Sequence, residues 1–386
     1  MLKRGKALAA TWLNRARYAW LRATLPPGVP PRSFERVAIV APLGRRNGIA
    51  EGARLQYAAL RRRGIEAELI DAAPALRNPF WRAEHRPASL YIVHSGGPET
   101  AALLGAVAPA AGRAYRIAYW AWELASPPPS WAGLDALVHE IWTPSRHARD
   151  SLRQLFAKPI HVAPHIVEPH ARRRRQANEP LTALCMADSR SSISRKNPAG
   201  AVAAFRAAFG ASPRARLIVK LNGRPDEVDS FARDLAAPNI EVASGYLDEA
   251  GMDSLFARAD VLLSLHRAEG FGLPMLESMA RGIPVIGTGW SGNLEFMSAS
   301  DSILVPYRLT PVQDAAGVYS GGEWAEPDVD YAAAALVRLC DDPGLWERLS
   351  EAAHAAALRA YDAKLPIEAA PARSTAFEAS LAKGAA

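Results

Sequence analysis

Cysteine and long apolar runs are both scarce in this sequence. Its 386 residues include only two cysteines, Cys185 and Cys340. Two cysteines cannot supply a disulfide framework or a four-cysteine zinc site, so a reducing compartment is expected. No uninterrupted run reaches the ~18 apolar residues that a membrane-spanning helix needs. The first residues also lack a small-residue cleavage site, which argues against a secretory signal, so we expect a cytoplasmic protein.

Acidic residues are missing from the N-terminal segment, where Glu35 is the first carboxylate. On a helix over residues 1–24, apolar side chains share one face and most basic ones lie opposite. The members of the apolar face are Leu2, Leu8, Ala9, Trp12, Leu13, Ala16, Ala19, Trp20 and Ala23. This pattern is typical of a helix on an anionic membrane surface, and also of a helix that packs on the next domain. Prolines at the end of residues 1–33 predict a stiff spacer.

The composition predicts two domains and an anionic partner. Hydrophobic residues make up 49% of the chain and charged residues 22%, and a domain usually has roughly 100–200 residues. The formal net charge of +7 suits nucleic acid, a phosphorylated substrate or a membrane. The basic run from Arg172 to Arg175 has no interleaved aromatic residues, so we interpret it as a solvated hinge and expect no nucleic acid.

Alternating strands and helices predict two doubly wound α/β domains, at residues 34–170 and 178–365, and a C-terminal helix 366–386 that packs on the first. The predicted strands lie at residues 37–42, 66–71, 89–94, 114–119, 140–143 and 160–163, and then at 181–187, 215–221, 240–243, 261–265 and 285–288. Ligands bind beyond the carboxyl ends of the strands in such sheets, so chemistry is expected in the loops that follow these strands.

The loop after the strand at residues 261–265 carries the sharpest motif, the run from His266 to Glu277. It places Glu269 before two glycines whose backbone can approach a ligand, and then a proline suited to the first turn of a helix. The loop amides and the positive helix end can hold a pyrophosphate, while carboxylates accept hydrogen bonds from sugar hydroxyls. We expect Glu277 in that first turn.

This Glu-x7-Glu run resembles the donor-binding signature of retaining glycosyltransferases of family 4, which have the GT-B fold of two Rossmann-like domains facing a cleft. The resemblance implies that Glu269 contacts the transferred sugar and that Glu277 binds the ribose of the nucleotide. The residues between them that it assigns to donor binding are Gly270, Phe271, Gly272 and Leu273.

A second stretch, from Asp188 to Pro198, looks like the basic diphosphate clamp of the same family. Lys196, with either Arg190 or Arg195, would neutralise the departing diphosphate without a metal ion. The Gly-rich loop at residues 287–295 is similar to the family's phosphate-facing loop. The other donor-binding residues predicted from the resemblance are Asp188, Ser191, Lys220, Gly292 and Asn293.

The first half resembles bacterial polysaccharide-assembly members of the family. His94, at the end of a predicted strand, matches the family's cleft histidine and joins Glu269, Arg195 and Lys196 as a predicted catalytic residue. Trp122 and Glu123 would stack on and hydrogen-bond an acceptor sugar, or pack the sheet.

The first loop of the chain holds Gly44 and Gly48, where the family approaches donor or acceptor phosphate. Asp71 ends the second predicted strand at about the distance expected of a ribose-binding acid, which leaves an NAD-dependent oxidoreductase as an alternative. However, Gly44, Gly48 and Gly52 do not form the G-x-G-x-x-G pattern.

The resemblance implies a retaining, metal-independent enzyme that needs no cofactor. It would move a hexose from a nucleotide-diphosphate sugar, with GDP or UDP as the nucleotide, to a glycan or lipid-linked acceptor. If the N-terminal helix binds lipid, the enzyme would be peripheral at the cytoplasmic face of the membrane. A non-catalytic sugar-nucleotide-binding relative is the third interpretation that the residues leave open.

Overall fold

The structure, a computed structural model, describes residues 16–25, 35–44, 47–176, 179–188, 191–222 and 235–369. Contacts divide the chain into two compact units. The first comprises the described residues of Met1–Trp122, Ser126–Ile166 and Lys364–Ala386, and the second those of Glu123–Ala125 and Val167–Ala363.

The first unit is built on a parallel sheet of six strands in the order β2-β1-β3-β4-β5-β6. The strands are β1 Val37–Ala41, β2 Ala67–Asp71, β3 Leu90–Ser95, β4 Tyr115–Trp120, β5 Glu140–Thr143 and β6 Ile160–Val162. The helices are α1 at residues 16–24, α2 Gly48–Arg62, α3 Thr100–Ala111 and α4 Arg146–Leu152. Every residue of β1 and β3 is buried, as expected of central parallel strands covered on both faces.

Helix α1 packs on the first unit through a face that the sequence did not indicate. Leu21 is fully buried in the core, and Tyr18 and Leu25 pack against the same core. The residues of the predicted apolar face that are described, Ala16, Ala19, Trp20 and Ala23, are all exposed. Three large side chains bury more apolar area than a stripe that consists mostly of alanine, so they decide which side faces the core. Residues 1–15 lie outside the described residues.

The second unit contains a parallel sheet in the order β12-β11-β10-β7-β8-β9 and a separate antiparallel hairpin, β13-β14. Its strands are β7 Leu181–Asp188, β8 Ala215–Asn222, β9 Ile240–Ser244, β10 Val261–Ser264, β11 Val285–Thr288, β12 Ile303–Val305, β13 Tyr307–Pro311 and β14 Glu323–Pro327. Its helices are α5 Ile193–Lys196, α6 Pro198–Phe209, α7 Glu249–Arg258, α8 Leu273–Ala280, α9 Val329–Asp341 and α10 Pro343–Tyr361. The strand order reverses between β7 and β10, which is the switch point where ligands bind in such sheets.

The basic run from Arg172 to Arg175 is not a solvated hinge, and that interpretation was wrong. Arg172 forms an ion pair with Glu347 at 2.6 Å, and Arg173 one with Asp260 at 2.8 Å. Only Arg174 is largely exposed, with 80% of its side chain accessible. The run therefore packs on the second unit, because its guanidinium groups donate hydrogen bonds to carboxylates far away in the sequence.

The predicted C-terminal helix is described only at its start, where Pro366–Ala369 form a 3-10 turn. This turn is grouped with the first unit, and Glu368 lies 3.2 Å from Arg63. Residues 370–386 lie outside the described residues. None of the helices in the described ranges combines the length and apolar character that crossing a bilayer requires.

Candidate active site

The loop between β10 and α8 carries Glu269. Gly272 caps α8 with a φ of 95°, a left-handed conformation that glycine adopts without a steric penalty. The helix begins at Leu273 with Pro274 in its first turn. Glu277 is the fifth residue of α8, so the expectation that it falls in the first turn was wrong. The glycine cap, and not the proline, sets the start of the helix.

The basic pair lies on α5, the short helix that follows β7. Ser192 caps this helix by accepting a hydrogen bond from the Arg195 backbone N–H at 3.1 Å. The side chains of Arg195 and Lys196 reach the loop after β10. Lys196 Nζ lies 2.5 Å from Glu269 Oε1, and Arg195 Nη1 lies 3.1 Å from Glu269 Oε2. Because β7 and β10 are neighbours at the switch point, this sheet edge brings together charges 73 residues apart in sequence.

The two cations keep Glu269 ionised although its side chain is buried. Burial by itself raises the pKa of Glu269, but the charges of Lys196 and Arg195 outweigh burial and lower that pKa to about 2. Burial by itself lowers the pKa of Arg195, while Tyr319 and the carboxylates of Glu269 and Glu123 raise it. The site therefore holds fixed charges at neutral pH and cannot use Glu269 as a proton donor there.

The two cations differ in their access to a ligand. The Lys196 side chain is 18% exposed and the Arg195 side chain 4%. Arg195 also donates to the backbone carbonyl of Ala268 at 2.6 Å, so much of its guanidinium is used to hold the loop that carries Glu269. Lys196 is the cation that an incoming phosphate can reach more directly.

The Gly-rich loop after β11 closes tightly against the Glu269 loop. A Cβ on Gly292 would lie 2.2 Å from the carbonyl oxygen of Gly270, so only glycine fits there. Asn293 is fully buried; its Oδ1 lies 3.1 Å from His266 Nε2, and its amide donates to the Thr288 carbonyl at 3.0 Å. Asn293 thus fixes the two loops against each other.

Backbone strain concentrates around the same loops. Among the described residues, three non-glycine residues have positive φ, namely Ser192 at 74°, Asn197 at 49° and Ser291 at 80°. Ser192 and Asn197 flank α5, and the Ser291 hydroxyl accepts the Glu269 backbone N–H at 2.8 Å. Such conformations persist only where the surroundings over-determine them, and they cluster at functional sites.

The other predicted donor-binding residues are placed as follows. Asp188 ends β7, and the Ser191 hydroxyl donates to its carbonyl at 3.1 Å. Lys220 is 2% exposed, and its ammonium lies 2.5 Å from Asn222 Oδ1. Phe271 packs on Phe296 with ring centroids 5.0 Å apart. Arg190 lies outside the described residues.

In the first unit, His94 lies at the end of β3 in a buried, uncharged cluster. It is 1% exposed, its Nε2 lies 2.6 Å from Gln56 Oε1, and it stacks on Tyr119 with centroids 4.1 Å apart. The Tyr119 hydroxyl lies 3.3 Å from His165 Nδ1. Burial, and then repulsion from His165, lower the pKa of His94 well below its usual range.

Of the predicted acceptor residues of the first loop, Gly44 lies near Asp71. Oδ1 of Asp71 accepts the backbone N–H groups of Leu43 at 2.9 Å and Gly44 at 3.4 Å, so this carboxylate shapes the loop. Gly48 is the first residue of α2. A Cβ there would meet nothing within 4 Å, so this position does not require glycine for space.

Trp122 and Glu123 are adjacent in sequence but are grouped with different units. The Trp122 indole donates to the Ser126 carbonyl at 2.8 Å, and its ring packs edge-on against Trp131 at 5.2 Å. Glu123 belongs to the second unit, where its Oε1 lies 4.0 Å from Arg195 Nη2. Glu123 therefore lies near the charged group formed by Lys196, Arg195 and Glu269.

A family model decides the classification of the chain. The model of family 4 glycosyltransferases in conflict systems matches residues 145–360, which is more than half of the 386 residues. The chain belongs to this family. The predicted resemblance to family 4 is confirmed. The match contains both loops that hold Glu269 and Lys196, and it decides against the oxidoreductase interpretation.

Solved structures of other glycosyltransferases are similar to the chain in fold. A TarM variant from S. aureus, in complex with Fondaparinux, alpha-GlcNAc-glycerol and UDP, has a TM-score of 0.54 and 11% identity, with 74% of this chain and 54% of TarM covered. HepE from Anabaena, in complex with UDP and glucose, has a TM-score of 0.61 and 13% identity, with 90% of this chain and 100% of HepE covered.

Sucrose-phosphate synthase from Thermosynechococcus elongatus has a TM-score of 0.58 and 12% identity, with 91% of this chain and 100% of the synthase covered. This glycosyltransferase spans about half the length of TarM. No curated protein matches its sequence. At these identities the likeness shows the fold, and with the two parallel six-stranded sheets it confirms the predicted GT-B class.

Asp314 and Tyr319 also lie near the charged group, and the sequence analysis did not predict either of them. They lie in the loop of the β13-β14 hairpin, and Asp314 Oδ1 accepts the Ser192 hydroxyl at 2.7 Å. The Tyr319 ring centroid lies 5.7 Å from Arg195 Cζ. No motif marks either residue. The local signals are the glycines of the loop, Gly317, Gly321 and Gly322, which have positive φ and indicate turns.

Proposed function

We propose that this glycosyltransferase moves a hexose, with retention of anomeric configuration, from a UDP-sugar to a glycan or lipid-linked acceptor. The observation that carries the proposal is the convergence of Lys196 and Arg195 on Glu269 at the switch point of the second sheet. The presence of UDP and glucose in the structure of HepE supports the choice of donor.

The charges suggest what each residue does in this reaction. Lys196 would exchange part of its contact with Glu269 for the donor diphosphate and would neutralise it as it leaves. Glu269, ionised above a pKa of about 2, would accept hydrogen bonds from the hexose hydroxyls and favour positive charge at the anomeric carbon. The departing phosphate oxygen would take the proton of the acceptor hydroxyl, which then bonds to the sugar on the same face.

Metal independence is part of the proposal. Fixed cations already stand where the diphosphate would bind, and they can stabilise its developing charge. Within the described ranges, no group of three or more His, Cys, Asp or Glu side chains is arranged to hold a metal ion. The assay that checks this feature is transfer in the presence of excess EDTA, where an unchanged rate is expected.

The proposed catalytic residues do not include His94. Its ring is 1% exposed and its Nε2 already contacts Gln56, so its contribution would be to hold the loops at the end of β3. The sequence-based catalytic role of His94 stays a prediction. Comparing transfer by His94→Gln and Glu269→Gln separates a structural from a catalytic role of His94. We expect the larger loss of transfer in Glu269→Gln.

Transfer itself is tested with a panel of UDP-hexoses and GDP-hexoses and with the anomeric configuration of the product followed by NMR. Glu269→Gln and Lys196→Met should each lower kcat/KM at least about 100-fold, the usual effect of removing one transition-state contact. Glu241→Gln and Arg258→Met are matched controls, because they remove an exposed ion pair of the same unit. Wild-type rates in both site variants, or an inverted product, would contradict the proposal.

The acceptor side of the proposal includes an anionic membrane surface. The exposed side of α1 presents Trp20, which is 48% exposed, next to exposed alanines and Arg22. This arrangement suits a helix that lies on lipid while its other side packs on the first unit.

Trp20→Glu tests the membrane contact while sparing the buried face of α1. The affinity for anionic vesicles, measured by sedimentation, should fall about tenfold, as expected when an aromatic side chain no longer enters the lipid. Leu358→Glu replaces another exposed apolar residue, on α10, and should bind vesicles like the wild type. Equal sedimentation of the wild type and Trp20→Glu would remove the membrane from the proposal.

A further inference from the structure

The β13-β14 hairpin is linked to both elements that carry the charged group, helix α5 and the Glu269 loop. Arg267, two residues before Glu269, forms a bidentate ion pair with Glu326 of β14 at 2.7 and 3.0 Å. Its third guanidinium nitrogen donates to the Ser194 carbonyl of α5 at 2.7 Å. The backbone N–H of Ala325 donates to the Arg267 carbonyl at 2.9 Å. The hairpin, α5 and the Glu269 loop therefore hold one another through Arg267.

The loop of this hairpin is organised by Asp314. Its carboxylate accepts the backbone N–H groups of Val318 at 2.8 Å and Tyr319 at 3.1 Å. Its other oxygen accepts the Ser192 hydroxyl at 2.7 Å. A carboxylate accepts and never donates when ionised, so it fixes the direction of the single hydroxyl proton of Ser192.

The direction of that proton matters for α5. Because its hydroxyl proton points at Asp314, the Ser192 oxygen is left to accept the backbone N–H of Arg195 at 3.1 Å. Ser192 has a φ of 74°, a strained conformation that needs support from its surroundings. Asp314 supplies that support, and through it the start of the helix that carries Arg195 and Lys196.

Tyr319 holds the arginine from the other side. The residue is 6% exposed, and its ring centroid lies 5.7 Å from Arg195 Cζ, within the range of a cation–π contact. Its hydroxyl hydrogen-bonds Glu123. The Arg195 Nε has no hydrogen-bond partner among the described residues, so the aromatic ring and the bonds of the terminal nitrogens set where the guanidinium lies.

We propose that Asp314 and Tyr319 are positioning residues that place the Lys196–Arg195–Glu269 group for the donor diphosphate. The proposal rests on the proposed function, because it assumes that this group binds the diphosphate of the donor. Neither residue needs to touch the donor. Asp314 acts through Ser192, and Tyr319 acts through Arg195.

The test measures UDP binding by titration calorimetry and donor kinetics with the full chain. Asp314→Ala and Tyr319→Leu should weaken UDP binding and raise the donor KM roughly tenfold to a hundredfold, because misplacing a binding group by a fraction of an ångström suffices. kcat should fall as well, because the same group is proposed to neutralise the diphosphate as it leaves. Tyr319→Phe keeps the ring over Arg195 and should bind UDP like the wild type. Gln313→Ala, an exposed neighbour in the same loop, is the control.

A double-mutant cycle separates positioning through Ser192 from a general effect on stability. If Asp314 acts through Ser192, the variant Ser192→Ala with Asp314→Ala should bind UDP no worse than the weaker of the two single variants. Additive losses would overturn the proposal. Wild-type affinity in Asp314→Ala and Tyr319→Leu would also overturn it. Should Asp314→Ala fail to fold, Ser192→Ala replaces it, since it removes the hydroxyl that Asp314 orients, and wild-type UDP affinity in that variant would overturn the role of Asp314.

Failure of the donor proposal gives a different result. A wild-type chain that binds GDP or inorganic pyrophosphate but not UDP removes UDP as the donor, and the same variants are then titrated with the probe that binds. A wild-type chain that binds none of the three overturns both proposals, since the charged group would then hold no diphosphate.

Discussion

The two units share one architecture and place opposite chemistry at the carboxyl ends of their strands. In the second unit, Lys196, Arg195 and Glu269 meet as buried or half-buried charges. In the first unit, the corresponding edge holds His94 and Tyr119, which are buried and neutral. The sheet supplies a place for a site in both units, and the loop residues decide whether that place carries charge.

The physical difference lies in how burial is compensated. A buried charge is tolerated when an opposite charge and hydrogen bonds accompany it, as Glu269 shows with its two cations. A buried imidazole without a carboxylate partner gives up its proton, as the lowered pKa of His94 shows. The charged group of the second unit therefore depends on its pairing, and the His94 cluster of the first unit depends on staying uncharged.

The largest effect should follow from Glu269→Ala. The variant leaves two cations at a buried position without their carboxylate, which should lower the free energy of unfolding of the second unit by about 3–5 kcal/mol and abolish transfer. Hydrogen exchange followed peptide by peptide at increasing denaturant concentration would show opening of the second unit alone. A loss shared equally by the two units would break the comparison.

A smaller effect separates two glycines, one in each unit. Gly292→Ala places a Cβ 2.2 Å from a backbone oxygen, whereas Gly52→Ala places one 2.3 Å from the ring of His165. Backbone cannot yield as a side chain can, so we expect a loss of about 3 kcal/mol at Gly292 and about 1 kcal/mol at Gly52.

Gly48→Ala is the control for these glycines, because its Cβ would meet nothing within 4 Å. Its midpoint in urea denaturation should stay at or slightly above the wild-type value. Gly52→Ala at least as damaging as Gly292→Ala would show that the packing around His165 is as rigid as the backbone of the charged site.

Acid should weaken the first unit before the second. Burial lowers the pKa values of His139 and His165 from 6.5 to about 4, and His94 shifts in the same direction. The unfolded state binds these protons first, so the stability contributed above pH 6.5 is lost as the pH falls towards 4. In the described part of the second unit, burial also lowers the pKa values of His170 and His266, and nearby carboxylates, Glu269 among them for His266, act in the opposite direction.

The contribution of Glu269 is lost at a lower pH. Its pKa is about 2 against an ordinary value of 4.5, so the stability that it contributes above pH 4.5 declines only as the pH falls from 4.5 towards 2. Hydrogen exchange between pH 7 and pH 4.5, corrected for the intrinsic pH dependence of exchange, checks the order. Opening of the second unit first would contradict it.

The smallest effects should come from exposed ion pairs, one from each unit. Glu51 pairs with Arg54 at 3.3 Å in the first unit, with both side chains more than 40% exposed, and Glu241 pairs with Arg258 in the second. Glu51→Gln and Glu241→Gln should each change the free energy of unfolding by less than about 1 kcal/mol. A larger loss in thermal unfolding would mean that charge outside the site also matters.

Much of the architecture could be predicted from local patterns. All eleven predicted strands are present, and those at residues 140–143 and 285–288 have the predicted bounds. Apolar runs between turn residues identify buried parallel strands because both faces of such strands are covered. β12 and the β13-β14 hairpin were missed, since short strands with exposed residues such as Tyr307 and Leu309 lack that signal.

The sequence by itself determined the alternation of strands and helices, the loop that carries Glu269 and the basic residues that follow β7. Tertiary structure alone decided that Lys196 and Arg195 meet Glu269, that Asp314 reaches Ser192 and that the run at Arg172 is paired. Local periodicity and turn residues report on neighbours a few positions apart, whereas these contacts join residues 73, 122 and 175 positions apart. Such distances depend on the order of strands in the sheet and on how loops pack at its edge, which no short window of sequence contains.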